Sequence, residues 1–281
     1  MNIKPMPYRL DALRFQISLA AWPGLRHVSA VNKAYEASAS GSLVEPLLGE
    51  IYTEHIQLVP QNMGWLDTSL VEYLKDAFPK TQFRLHANVS VMPKSVFADL
   101  SGLHLYPEWF KTAASISKQL NAPAYSAHSG SREQCSMSEM LDNARNLADL
   151  FGCPVAVEGQ YPVRGDTFLV STWSEYRELF ESGVPYALDL SHLNILANRS
   201  GVYEVSLVQE MLSCERCIEV HVSDNDGTGD QHQVCNELTW WYSLLPYTHA
   251  DAVIFSEGNH RRAELRHANS NAVVREREHV A

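Results

Sequence analysis

The stretch Cys217-Ile218-Glu219-Val220-His221-Val222-Ser223-Asp224-Asn225-Asp226-Gly227-Thr228-Gly229-Asp230-Gln231-His232 begins as an apolar strand and ends as a polar loop. His221 stands where the apolar run gives out. Asp230 and His232 are two residues apart, so in an extended segment both side chains project the same way. A carboxylate and an imidazole converging on one spot suit a zinc, manganese or iron ion. Asp-Asn-Asp-Gly is also good turn chemistry, and taken alone the run reads equally well as a solvated turn. Repetition along the chain decides between the two.

Short apolar runs recur at residues 15–21, 55–59, 83–91, 122–128, 154–158, 186–190, 217–222 and 252–256. Amphipathic stretches separate them. Asp67-Thr68-Ser69 can cap a helix through Phe78. Pro107 fits the first turn of a helix through Leu120. Residues 136–151 carry Met140, Leu141, Ala144, Leu147, Ala148 and Phe151 at helical spacing, with Gly152 as a stop. Residues 171–182 and 202–212 read the same way, 238–245 is short, and a polar terminal helix is expected from Arg261 onward. The first unit is the weakest: residues 30–50 read as a helix followed by a loop. Parallel strands need crossovers, usually helices. Eight strands with helical connections fit a closed α/β barrel, a (β/α)8 TIM barrel, with a doubly wound open sheet as runner-up. No linker divides the chain, so residues 1–281 are expected to form a single domain.

The composition is that of a soluble globular protein, with 45% hydrophobic and 20% charged residues. No apolar stretch approaches the ~20 residues that span a bilayer, and residues 1–10 lack a signal-peptide core. No membrane partner and a cytoplasmic location are expected. The five cysteines are scattered, and Cys214-x-x-Cys217 lacks the context of a redox or zinc motif, so reduced structural thiols are expected. A net charge of −11 disfavours a nucleic-acid partner, which calls for a basic footprint. The late arginines 261, 262, 266, 275 and 277 are the exception. A small polar substrate fits this balance better, and a homo-oligomer is compatible with it.

The polar residues fall at the ends of the apolar runs, where barrel enzymes place their chemistry. They are His86, His128, Glu158, Asp189 with His192, His221 with Asp230 and His232, and Glu257. Four carboxylates and five imidazoles at one barrel mouth are hard to desolvate together without cations. One to three divalent ions (Zn, Mn or Fe) are therefore expected. The remaining histidines, His27, His55, His104, His249, His260, His267 and His279, read as structural or surface residues. Trp22, following the first strand, is the best aromatic candidate for substrate contact; Trp65, Trp240 and Trp241 read as packing. Asn194 and Asn225 lie in the polar runs after two strands. Arg164 and Arg199 lie in adjoining loops, where a guanidinium fork suits a phosphate or carboxylate.

The pattern resembles the xylose-isomerase-like TIM-barrel superfamily, which includes endonuclease IV (AP endonuclease family 2) enzymes and sugar-phosphate isomerases and epimerases. The resemblance covers about residues 54–260. It rests on Val157-Glu158, on Leu188-Asp189-Leu190-Ser191-His192-Leu193-Asn194-Ile195, on His221 through His232, and on Ser256-Glu257. In the epimerase branch it implies one metal held by Glu158, Asp189, His221 and Glu257. The two glutamates then act as catalytic base and acid, and His192 contacts substrate. In the endonuclease IV branch it implies three zinc ions that serve phosphoester hydrolysis. His86, His128 and Glu158 would hold the first; Glu158, Asp189, His221 and Glu257 the second; His192, Asp230 and His232 the third. Iron-dependent peptide-modifying barrels share a similar ligand set, and a non-catalytic metal- or sugar-binding barrel is a further alternative. The acidic loop residues Asp224, Asp226 and Asp230 oppose DNA binding. Isomerisation or epimerisation of a small hydroxylated, sugar-like substrate is therefore the leading expectation, ahead of hydrolysis.

Overall fold

Eight short strands run parallel and close on one another. The structure, a computed structural model, describes residues 13–93 and 95–262. The strands are β1 (Phe15–Ser18), β2 (Val44–Glu45), β3 (Gly49–Leu58), β4 (Gln82–Leu85), β5 (Tyr125–His128), β6 (Val155–Glu158), β7 (Tyr186–Asp189), β8 (Cys217–Val222) and β9 (Val253–Ser256). All but β2 belong to the barrel. β1 pairs in parallel with both β9 and β3, which closes the sheet and overturns the open-sheet alternative. β2 is a two-residue antiparallel addition to the start of β3.

The helices are α1 (His27–Ala39), α2 (Thr68–Ala77), α3 (Pro107–Leu120), α4 (Met137–Phe151), α5 (Trp173–Glu181), α6 (Leu190–Ser200) and α7 (Val205–Leu212). Their ends follow local chemistry. Asp67 caps α2 by accepting from the Leu70 N–H at 2.8 Å. Ser136 and Glu139 form a capping box on α4, and Gly152 ends it with φ 70°. Thr172 and Glu175 form a second box on α5. Alternation along the strands divides the residues between the helix-facing layer and the barrel interior. Val157, Leu188 and Val220 are fully buried beside the inward-facing Glu158, Asp189 and His221. Each such aliphatic burial contributes about 1.5–3 kcal/mol.

Several sequence expectations are corrected. The strand expected over 83–91 stops at Leu85, because Asn88 adopts a left-handed φ of 62° and turns the chain. The end of the first run, Leu19–Ala21, is a 3-10 turn. The expected loop before residue 50 holds β2, and β3 starts six residues earlier than expected. Residue 190 opens a helix that was not expected, α6. Residues 238–245 contain no α-helix: a 3-10 segment, Tyr242–Tyr247, with Pro246 inside it, packs there. No α-helix lies between β8 and β9, and a long loop takes its place. Beyond Arg262, the expected terminal helix, His267 and His279 lie outside the described residues.

Candidate metal centre

Strand register sets the geometry. His128 at the end of β5 is level with Glu158 at the end of β6. Asp189 at the end of β7 is level with His221 on β8. His86 follows the last residue of β4, and Glu257 the last residue of β9. Asp189 also starts α6: its Oδ1 accepts from the backbone N–H groups of Ser191 and His192 at 2.7 and 3.0 Å. That cap aims the first turn of α6 so that His192 Nε2 lies 3.3 Å from Asp189 Oδ2.

The loop after β8 delivers the last two residues. Asp224 and Gln233 exchange backbone hydrogen bonds at 2.7 and 2.9 Å, folding the loop back on itself. Asp230 and His232 then meet, with Oδ2 and Nε2 3.0 Å apart. They converge although His232 is not extended; its φ is 45°, a strained value for a residue with a side chain. The Asn259 N–H donates to the His232 carbonyl at 2.8 Å and ties this turn to the segment carrying Glu257.

All nine expected residues come together. Glu158, almost fully buried, is the hub. Its Oε2 is 2.8 Å from His86 Nε2. Its Oε1 faces His221 Nδ1 at 3.5 Å, His192 Nδ1 at 3.8 Å and His128 Nε2 at 3.9 Å. Glu257 faces His221 Nδ1 at 3.8 Å through Oε1 and His232 Nδ1 at 3.7 Å through Oε2. Asp230 Oδ2 is 3.6 Å from His192 Nε2. Three donor groups lie within 4.8 Å of one another: His86, His128 and Glu158; His86, His221 and Glu257; Glu158, Asp189 and His192.

The electrostatics are those of interlocked opposite charges. Burial pushes the Glu158 carboxyl up, but His86, His221 and His128 outweigh it and hold the group well below the usual range. Burial also pushes Glu257 up, and there it wins over His221 and His232. Burial pulls the imidazoles down, but the carboxylates overcome it. His128 rises to about 9 beside Glu158 and Asp99. His192 rises to about 10 beside Asp189, Asp230 and Glu158. His232 rises to about 9 beside Asp230 and Glu257.

A cation would suit this donor set. The buried Nδ1 atoms of His221 and His232 have no hydrogen-bond partner and face carboxylate oxygens. Two other imidazoles have one nitrogen anchored to an oxygen outside the cluster. His128 Nδ1 lies 3.3 Å from Asp99 Oδ1, and His192 Nδ1 donates to the Gly159 carbonyl at 3.0 Å. Anchoring one nitrogen fixes the ring and aims the other inward, the usual arrangement of metal-binding histidines.

The expected substrate contacts are not gathered in the same way. Asn194 donates to Asn225 Oδ1 at 2.9 Å and accepts from Trp240 Nε1 at 3.1 Å. Asn225 in turn donates to the Ser191 carbonyl at 3.0 Å. Both amides thus brace the β8 loop against α6. Arg199 spends its guanidinium on the Pro162 and Thr228 carbonyls, at 2.7 and 2.9 Å. Arg164 is exposed. Trp22 is buried against His260, with ring centroids 5.8 Å apart. Tyr161, not singled out from sequence, lies 4.9 Å from the His192 ring. Asp99, Arg84 and Glu219 were also missed. A sequence signal existed for the last two: each stands two residues before a candidate ligand on its strand and so shares its face.

No protein-family model and no curated protein sequence matches this chain. Solved structures do. A D-tagatose 3-epimerase-like protein is 18% identical and superposes with a TM-score of 0.62 over 96% of this chain and 100% of that one. An AP endonuclease, family 2, from Brucella melitensis is 17% identical, with a TM-score of 0.60 over 88% of this chain and 93% of that one. Endonuclease IV from Thermus thermophilus is 16% identical, with a TM-score of 0.55 over 86% of this chain and 91% of that one. The fold is the closed (β/α)8 barrel that these structures share.

Proposed function

We propose that this chain is a divalent-metal-dependent enzyme whose barrel mouth holds more than one ion, and that it hydrolyses a phosphoester in a small polar substrate. The observation that carries this reading is the convergence of His86, His128, Asp230 and His232 on the central residues Glu158, His192 and Glu257, with nitrogen–oxygen separations of 2.8, 3.9, 3.6 and 3.7 Å. Were a single ion held by Glu158, Asp189, His221 and Glu257, the buried His86 and His192 and the partly buried His128, Asp230 and His232 would crowd the same mouth with only one another and those ligands as partners.

Glu158 is suited to bridge, since its two oxygens face different imidazoles. His86 and His128 would complete one ion's shell, Asp189, His221 and Glu257 a second, and His192, Asp230 and His232 a third. Bound there, divalent ions supply water activation and charge neutralisation at a leaving oxygen. The chain's own contribution is a rigid, largely dry donor set, with His192 aimed by Gly159 and His128 by Asp99. The net charge of −11 favours a small substrate over a nucleic acid. A cytoplasmic setting belongs to the proposal, in keeping with five free thiols. Among the described residues, no helix is long and apolar enough to cross a membrane.

A second reading is epimerisation of a sugar-like substrate, the leading expectation from sequence. One observation favours it: the fold is shared with 3-epimerases. The test is to assay the metal-reconstituted protein on a chromogenic phosphodiester, an abasic-site duplex and a panel of ketoses. Phosphodiester turnover supports hydrolysis; ketose epimerisation without it reverses the order of the two readings.

A further inference from the structure

Beneath the cluster, inside the barrel, lies a chain of buried polar groups that the proposed chemistry does not use. Arg84 on β4 and Glu219 on β8 are 6% and 0% exposed. Their side chains meet across the barrel, Arg84 Nη1 donating to Glu219 Oε1 at 2.9 Å. The other carboxylate oxygen, Oε2, lies 3.2 Å from His221 Nε2. Such a pair has a high cost of burial, and a well-packed apolar pair would serve stability as well or better. Its placement points to another use.

We propose that Glu219, backed by Arg84, is a positioning residue that holds the proton of His221 on Nε2 and so turns Nδ1 toward Glu158 and Glu257. The argument is one of donors and acceptors. A carboxylate 3.2 Å away makes Nε2 a donor. The second neighbour of Nε2 is the Gln57 amide nitrogen, 3.0 Å away. Turning that amide over exchanges its nitrogen and oxygen, and would present Gln57 Oε1, buried without a partner, as an acceptor for a protonated Nε2. On the opposite side of the ring, Nδ1 is buried without a hydrogen-bond partner and faces the two glutamates at 3.5 and 3.8 Å. Arg84 neutralises Glu219 from behind, so the carboxylate remains an acceptor at full burial. The strand alternation that places Glu219 two residues before His221 and Arg84 two before His86 delivers both members to one interior column.

The orientation of His221 stands by itself; its consequence for metal affinity rests on the function proposed above. The test uses 15N-histidine-labelled protein and zinc as probe. In the metal-free native protein, long-range 1H–15N spectra should contain an exchange-protected Nε2–H resonance from His221, retained after zinc addition. Glu219→Gln should shift this resonance and speed its exchange, and should weaken zinc binding, read by chelator competition, about 10- to 100-fold. Because Glu219→Gln leaves Arg84 unpaired, the double variant Glu219→Gln/Arg84→Met controls for a folding defect: it should show the same two changes with a native circular dichroism spectrum. A folded variant with an unchanged Nε2–H resonance and unchanged zinc affinity would overturn the assignment. If native protein takes up no zinc, the metal reading fails. The resonance then decides alone: its presence in native protein and its shift and faster exchange in the variants uphold the positioning role, and its absence from native protein overturns it.

Discussion

Asp189 and His192 are joined twice: Asp189 Oδ1 accepts from the His192 backbone N–H at 3.0 Å, while Oδ2 lies 3.3 Å from the same residue's Nε2. One carboxylate therefore caps α6 and takes part in the cluster. The two roles separate by mutation. Asparagine caps a helix as well as aspartate, whereas alanine costs about 1 kcal/mol. In metal-free protein, Asp189→Ala should melt below Asp189→Asn by about that amount, while both lose metal affinity alike. Equal melting of the two variants would remove the capping role.

Glu158 touches four imidazoles, more than any other carboxylate of the cluster. Glu158→Gln keeps the shape and removes the charge. It should lower the number of bound ions and abolish turnover with the circular dichroism spectrum unchanged. Full activity in that variant would displace Glu158 from the centre of the account.

The pH dependence should reverse sign with metal. His128, His192 and His232 titrate at about 9, 10 and 9 in the fold, against about 6.5 in an unfolded chain. The metal-free folded state thus holds extra protons between these values. The stability these three groups contribute is fully present below about 6.5 and is lost as pH rises through about 9 to 10. A cation must displace those protons, so metal affinity should climb over the same window. Melting curves of metal-free protein and zinc titrations from about pH 6.5 to about pH 9 check both halves. A metal-free protein that gains stability across that window would contradict the described charge arrangement.

Packing behind the site sets a further expectation. Gly159 follows Glu158 directly, and a Cβ there would collide with the fully buried Tyr176 ring, whose hydroxyl donates to the Gln160 carbonyl at 3.0 Å. Overpacking of this kind costs about 1–3 kcal/mol. Gly159→Ala should lower the melting temperature and, by moving the carbonyl that anchors His192, weaken metal binding. A variant with native melting and native affinity would show that Tyr176 yields without disturbing the site.

The barrel and its polar mouth were legible because both are local patterns. An apolar run of four to six residues ending in His, Asp or Glu recurs, and closure of a parallel barrel turns those ends into one cluster. Helix α6 was not legible in that way. Leu190, Leu193, Leu196 and Ala197 follow β7 with no intervening turn, so strand and helix merge into one apolar stretch. The signals that separate them, Asp189 as cap and Gly201 with φ 68° as stop, are also what a ligand and a loop would leave. The Arg84–Glu219 pair was hidden for another reason: its partners are 135 residues apart, and only closure of the barrel brings them together. Asn194, Asn225 and Arg199 carry polar groups that look available in sequence. The fold turns them to bracing the β8 loop.

The central claim is that nine residues serve more than one ion. Elemental analysis of protein purified without added metal or chelator tests it most directly. The account predicts two or three divalent ions per chain. A single ion per chain, unchanged on adding excess metal at mildly alkaline pH, would contradict it. That result would return His86, His128, Asp230 and His232 to structural or substrate-binding roles.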